Sequence, residues 1–172
     1  MFSVAPFFGS EGWGFESLQA RQLLFSQADR LMKTSSLKRI DVVAGLICRD
    51  GRLLACQRHE NSVFPLKWEF PGGKRQNAES HSEALRRELK EELGIEASEF
   101  SQVYQSEHVY ADGLWVCLCF FKVPKYEGQI TNFVFQQIRW VQPADLAGLD
   151  FLDGDRPLVA KLIESGGNDF LW

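Results

Sequence analysis

Glu88, Glu91 and Glu92 stand at positions i, i+3 and i+4 behind a Pro71-Gly72-Gly73 turn. At about 100° per residue a helix starting at Glu88 puts Glu91 at about −60° and Glu92 at about +40°, so the three acids project from one side. Leu85, Leu89 and Leu93 fall at about 60°, 100° and 140°, an apolar stripe for a core. Glu83, Arg86 and Lys90 fall on the far face and are expected in solvent. The acids therefore border the buried stripe, where they repel one another by about 0.2–0.5 kcal/mol per pair. A divalent cation would remove that repulsion. Oxygen-only donors select a hard ion, Mg²⁺ or Mn²⁺, which binds a few carboxylates together with phosphate and water. Glycines at 72 and 73 allow a tight turn and close backbone approach, so a carbonyl there is a further candidate ligand. The competing reading is an ordinary Glu-rich amphipathic helix whose Arg and Lys residues make ion pairs.

The wider spacing decides between them. Gly73, five residues, Glu79, seven residues, Arg87-Glu88-Leu89, one residue, Glu91-Glu92, one residue and Gly94-Ile95 form a pattern of nine fixed positions. It resembles the Nudix box at each of them. Trp68-Glu69-Phe70-Pro71-Gly72-Gly73-Lys74 resembles the entry to that box in MutT-type enzymes, and Arg139-Trp140-Val141 with Asp155-Arg156-Pro157 resembles their C-terminal part.

The resemblance implies an α/β fold, an α/β/α sandwich with a mixed β-sheet, over residues 36–172. It implies Mg²⁺-dependent hydrolysis (Mn²⁺ as the substitute) of a nucleoside triphosphate to the monophosphate and pyrophosphate. By the same route Glu88, Glu91, Glu92 and the Gly72 carbonyl are the metal ligands. Glu88 is also the candidate general base, and Glu79 binds metal or orients the helix. Arg87 positions the carboxylates through bidentate hydrogen bonds. Arg58 lies near the phosphates, and Lys74 reaches phosphate or is simply a surface lysine. Phe70, Trp68 or Phe151 stacks on the base or belongs to the core. Asp155 occupies the base-reading position. An ionised carboxylate only accepts hydrogen bonds, which suits the N–H donors of guanine, 8-oxoguanine or the cytosine amino group. Asp155 also precedes Arg156-Pro157, where it could instead cap a helix. The implied substrate is an oxidised purine deoxynucleotide such as 8-oxo-dGTP. CTP or a modified dCTP is the alternative within the class, and a noncatalytic nucleotide-sensing module the alternative outside it. One departure stands out: MutT-type enzymes place another glutamate shortly before the Arg-Trp strand, whereas Thr131 to Gln137 holds no acid and Glu127 is the nearest one upstream.

The elements that must position these residues are legible in outline. Asp41 to Cys48 and Leu53 to Gln57 read as strands joined at Asp50-Gly51. A polar loop from Arg58 to Lys67 follows, and a helix runs from about Ser80 to Leu93, ending at Gly94. Further strands are expected at Ser101 to Val109, Leu114 to Val123 and Ile138 to Val141. Short helices open at Pro143 and at Pro157, the latter running to Ile163.

With 172 residues and 45% hydrophobic residues, the chain can bury one core. Its net charge of −4 gives no basic footprint for duplex nucleic acid. No apolar run reaches the roughly 20 residues of a membrane span. Cys48, Cys56, Cys117 and Cys119 lack zinc-ribbon spacing and read as small buried residues, so a reducing cytoplasm is the simplest setting. A monomer and a homodimer both remain open.

Residues 1–35 form an extension that fits none of this. Met1 to Leu31 lacks the regions of a signal peptide, and Met32-Lys33-Thr34-Ser35 would serve as a start. Gly14-Phe15-Glu16-Ser17 can be encoded by GGG TTC GAA TCC, which resembles the T-arm of a transfer RNA gene. The segment is therefore read as translated upstream sequence, against a docked helix from Glu16 to Lys33.

Overall fold

The computed structural model describes residues 38–168. Expectations for the N-terminal extension lie outside the described residues. Strand β1 (Lys38–Leu46) is followed by β2 (Cys48–Arg49), β3 (Arg52–Gln57), β4 (Trp68–Glu69) and β5 (Gly72–Lys74). Helix α1 (His81–Leu93) leads to β6 (Glu96–Ala97), β7 (Ser101–Val109), β8 (Leu114–Lys122), β9 (Tyr126–Glu127) and β10 (Gln137–Val141). A 3-10 helix (Pro143–Gly148) and α2 (Arg156–Glu164) close the described chain.

The main sheet is mixed, in the order β5-β1-β8-β7, with β1 parallel to β8 and the other pairs antiparallel. An antiparallel sheet β10-β3-β2 carries β4 on β3, and β6 pairs with β9. The Asp50-Gly51 turn has φ 51° and 71° at its two residues, the left-handed pair that suits a two-residue hairpin.

Alternation along the strands makes two cores. Val43, Leu54, Cys56, Cys119 and Phe121 pack on one side with Leu85, Leu89 and Leu93 of α1. Ala44, Leu53, Ala55, Leu118 and Phe120 pack on the other with Leu158, Val159 and Leu162 of α2. The layers are helix, sheet, helix. Strand β8 reads as a nearly unbroken apolar run because both its faces are covered.

Helix α1 begins where its first amides find acceptors. Ser80 Oγ accepts from the Glu83 N–H, and the Glu83 carboxylate accepts from the Ser80 N–H at 2.8 Å, a complete capping box. It ends at Gly94, whose φ of 69° turns the chain out of the helix while its N–H still reaches the helix carbonyls. Burying three leucines contributes roughly 1.5–3 kcal/mol each. That far exceeds the few tenths of a kcal/mol by which neighbouring carboxylates repel, so the acids are carried by the packing of the opposite stripe.

The short strands β4 and β5 were not readable as strands, since Pro71 and two glycines interrupt them. Gly72 has φ 147°, and a Cβ there would lie 2.1 Å from the Val43 carbonyl oxygen. Only glycine lets this segment lie against β1. Ser80→Ala should lower stability by about 1 kcal/mol, read as a lower urea midpoint with an unchanged slope.

Candidate active site

The box residues gather around the β5 turn and the outer face of α1. Arg87 is the centre of the polar contacts. Its Nε and Nη2 donate to the two oxygens of Glu79 at 2.7 and 3.1 Å. Its Nη1 reaches Glu88 at 2.8 Å and Glu91 at 3.3 Å, and Nη2 also donates to the Lys74 carbonyl. The bidentate contact thus falls on Glu79, with single bonds to Glu88 and Glu91, two of the four metal-ligand candidates. Hydrogen bonds from Arg87 and from the Gln76 N–H hold Glu79 down to about 2, so it is a fixed anion.

Glu88 packs against the turn itself. A Cβ on Gly73 would sit 2.5 Å from the Glu88 carboxylate, so glycine is what admits that carboxylate beside the backbone. Glu92 accepts from the Gly72 N–H at 2.9 Å. Burial first, with Glu69 and Glu88 adding like charge, pushes Glu92 up to about 9 despite that hydrogen bond. Glu91 differs from both, with its side chain 59% exposed on the rim beside Arg87. Among the described residues no three His, Cys, Asp or Glu side chains are already gathered around one point. Glu88 and Glu92 flank the glycine turn, and Glu91 does not converge with them.

The donor set nevertheless suits a hard divalent ion. It is all oxygen, one member is pressed against the turn, and another is a buried carboxylate beside like charges that holds a proton in the absence of a cation. Lys74 is exposed.

The second half of the site lies along β3, β4 and the start of α2. Arg58 donates Nη1 to both Glu69 oxygens, at 3.0 and 2.7 Å, and Nε to the Val63 carbonyl at 2.8 Å. It is held within the protein instead of standing free for phosphate. Burial raises Glu69 while Arg58 opposes the shift. Asp155 is 2% exposed and makes no side-chain cap bond to α2, so the capping alternative is not realised. Burial and then the Glu69 charge raise it well above the ordinary carboxylate range, with Arg58 opposing. Burial at this position therefore favours the neutral acid over the ionised acceptor expected from the sequence. Tyr110 lies beside it, half-buried and stacked on Phe64 with ring centroids 4.7 Å apart.

The stacking expectation for Phe70 is also corrected. It is 3% exposed and packs between Phe120 and Phe151, at 6.3 and 5.2 Å. Trp68 and Phe151 are buried in the same core. Glu127 pairs with Glu96 between β9 and β6. The loop after it docks on the end of α1 through Thr131 N–H to the Leu93 carbonyl and Phe133 N–H to the Glu92 carbonyl. A hollow of about 430 Å³ between the 3-10 helix and α2 is lined by Leu146 to Phe151, Arg156 and Val159 and by none of the box residues.

Sequence reasoning gave no role to Glu69 or Tyr110. The signal for Glu69 was its position between the buried Trp68 and Phe70, where alternation turns it to the other face. Tyr110 and Phe64 carried no comparable sign.

The chain is similar to known proteins over most of its described length. The NUDIX domain model matches residues 38–162. CTP pyrophosphohydrolase of Escherichia coli is 38% identical over 125 residues, covering 72% of this chain and 90% of that protein. The 8-oxo-dGTP diphosphatase of Escherichia coli is 30% identical over 127 residues, covering 73% and 98%. A structure from work on MutT of Aliivibrio salmonicida and Vibrio cholerae superimposes with a TM-score of 0.62 at 32% identity, covering 74% of this chain and 99% of that one. No helix among the described residues is long and apolar enough to cross a membrane.

The Glu92 environment has a pH signature. A carboxyl raised from 4.5 to about 9 on folding stabilises the metal-free protein fully below about pH 4.5, and that contribution is lost as pH rises towards 9. The melting temperature of the metal-free protein should therefore fall across this window, and Glu92→Gln should flatten the fall.

Proposed function

The chain belongs to the NUDIX domain family, and on that premise we propose that it is a Mg²⁺-dependent nucleoside triphosphate pyrophosphohydrolase acting on oxidised purine deoxynucleotides such as 8-oxo-dGTP. The observation that carries this reading is the array in which Arg87 ties Glu79, Glu88 and Glu91 together beside the Gly72-Gly73 turn. Pyrophosphohydrolase chemistry on nucleotide derivatives is the activity of the family; the metal and the base are the finer part of the proposal.

Glu88, Glu92 and the Gly72 carbonyl at the turn, with Glu91 contributing from the rim, are the residues that would hold Mg²⁺. When bound, the ion neutralises the phosphates and lowers the pKa of water. Water adds at phosphorus, the bond to the leaving phosphate oxygen breaks, and the products are a nucleoside monophosphate and pyrophosphate. Glu88, oriented by Arg87 and pressed against Gly73, is placed to take the proton from that water. Glu79 stays ionised and keeps the Arg87 fork in position. Arg58, locked to Glu69, holds β4 in place instead of meeting phosphate, and Lys74 supplies positive charge at the rim.

Asp155 supplies the base preference in this reading. A neutral carboxylic acid presents one O–H donor and one carbonyl acceptor. On the Hoogsteen edge of 8-oxoguanine these meet O6 and the N7–H, whereas unmodified guanine offers an acceptor at N7 and is rejected. The same pair also meets N3 and the amino group of cytosine. That match, together with the 38% identity to a protein named CTP pyrophosphohydrolase, supports CTP as the second reading.

Pyrophosphate release with Mg²⁺, compared as kcat/KM on 8-oxo-dGTP, dGTP and CTP, tests both. A clear advantage for 8-oxo-dGTP is expected, and a preference for CTP would replace the first reading by the second. Glu88→Gln should lower kcat by about 100-fold or more with the melting temperature nearly unchanged. Asp155→Asn, which keeps a donor and an acceptor without ionising, should retain the base preference that Asp155→Ala loses. Loss in both variants would remove the neutral-acid role.

A further inference from the structure

A line of contacts runs from β1 to the carboxylates. Asp41 accepts from Arg75 Nη2 at 2.7 Å, and its carbonyl accepts from the Arg75 N–H at 2.9 Å, so both backbone and side chain of Arg75 are tied to β1. Arg75 Nη1 donates to the Glu79 carbonyl at 3.0 Å. That carbonyl ends a turn in which Ala78 has φ 71°, a left-handed conformation that a residue with a Cβ keeps only when its surroundings impose it. The Gln76 N–H donates to the Glu79 carboxylate at 2.9 Å, and the Glu79 N–H to the Gln76 carbonyl at 3.3 Å. Glu79 then takes the Arg87 fork, which reaches Glu88 and Glu91.

Arg75 occupies one of the five positions that the box leaves open between Gly73 and Glu79. It also leaves its Nε buried with no acceptor. Buried donors are nearly always satisfied, so a guanidinium kept here at that penalty calls for a purpose. Its two other nitrogens supply one: they join a strand to the turn that sets Glu79, a geometry that a single ammonium cannot reproduce.

We propose that Arg75 is a positioning residue for the metal carboxylates: it fixes the Glu79 turn from β1 and, through Glu79 and Arg87, the orientation of Glu88. The inference rests on the hydrolase reading above. Its competitor is a partly exposed ion pair that joins β1 to a loop and serves stability alone.

The test is a double-mutant cycle on the full chain with two readouts, kcat and KM for nucleotide hydrolysis, and Mn²⁺ binding followed by electron paramagnetic resonance without nucleotide. Arg75→Gln should weaken Mn²⁺ binding or lower kcat by about 10- to 100-fold, the range for partners that orient metal ligands, with KM little changed. Arg75→Lys, which keeps the charge but not the fork, should fall between. Glu79→Gln should be as impaired as Glu79→Gln with Arg75→Gln, because both act through Arg87. Wild-type kcat and Mn²⁺ binding in folded Arg75→Gln would overturn the proposal, as would additive losses in the double variant. If Arg75→Gln does not fold, Arg75→Lys decides: weaker Mn²⁺ binding at an unchanged melting temperature supports the proposal, and unchanged binding overturns it. If the wild type hydrolyses no nucleoside triphosphate, the substrate reading fails alone, and the Mn²⁺ titrations still judge Arg75.

Discussion

One guanidinium makes the rest of the site possible. Arg87 holds Glu79 with two nitrogens and reaches Glu88 and Glu91 with the third direction of its fork, so the crowding of acids on α1 is offset where it is worst. It does not reach Glu92. The cluster therefore holds carboxylates in opposite conditions: Glu79, just before α1, is held low by Arg87, whereas burial pushes Glu92 on α1 up.

The frame depends in turn on strands that are buried on both faces. Strands β1, β3 and β8 send alternate residues to α1 and to α2, which places the box helix on one side and the start of α2 on the other. The box carboxylates and Asp155 are then connected by the strands between them. Arg58, just past the end of β3, and Glu69, on the adjacent β4, sit at that connection, and Glu69 acts electrostatically on both Glu92 and Asp155.

Much of this was legible because period and spacing are local properties. The helix from Ser80 to Gly94, the Asp50-Gly51 hairpin and the strands at Ser101 to Val109 and Leu114 to Lys122 follow from alternation, caps and turn chemistry. The box fixed which helix face carries the acids. What could not be read is what depends on distant partners. Whether Asp155 is ionised depends on burial by residues far away in the chain, and whether Phe70 stacks on a base or fills a core depends on Phe120 and Phe151. Glu91 shares its helix face with Glu88 and Glu92, yet lies on the rim, because angle around an axis says nothing about what covers each side chain. The short strands at Trp68 and Gly72 exist only because β3 and β1 offer them edges.

The parallel pairing of β1 with β8 aligns Lys38 with Leu114 and Leu46 with Lys122. No local turn can bring these strands together, so the chain must close a long loop before the central sheet exists, and such non-local pairing slows folding. During synthesis α1 emerges from the ribosome before β8, the strand that completes its packing surface. Its leucine stripe is then uncovered, and its acids have no packed helix to hold them in register. The catalytic frame and the tertiary fold are thus completed in the same late event, and a chain stopped short of Lys122 would carry the entire box sequence without the site it encodes.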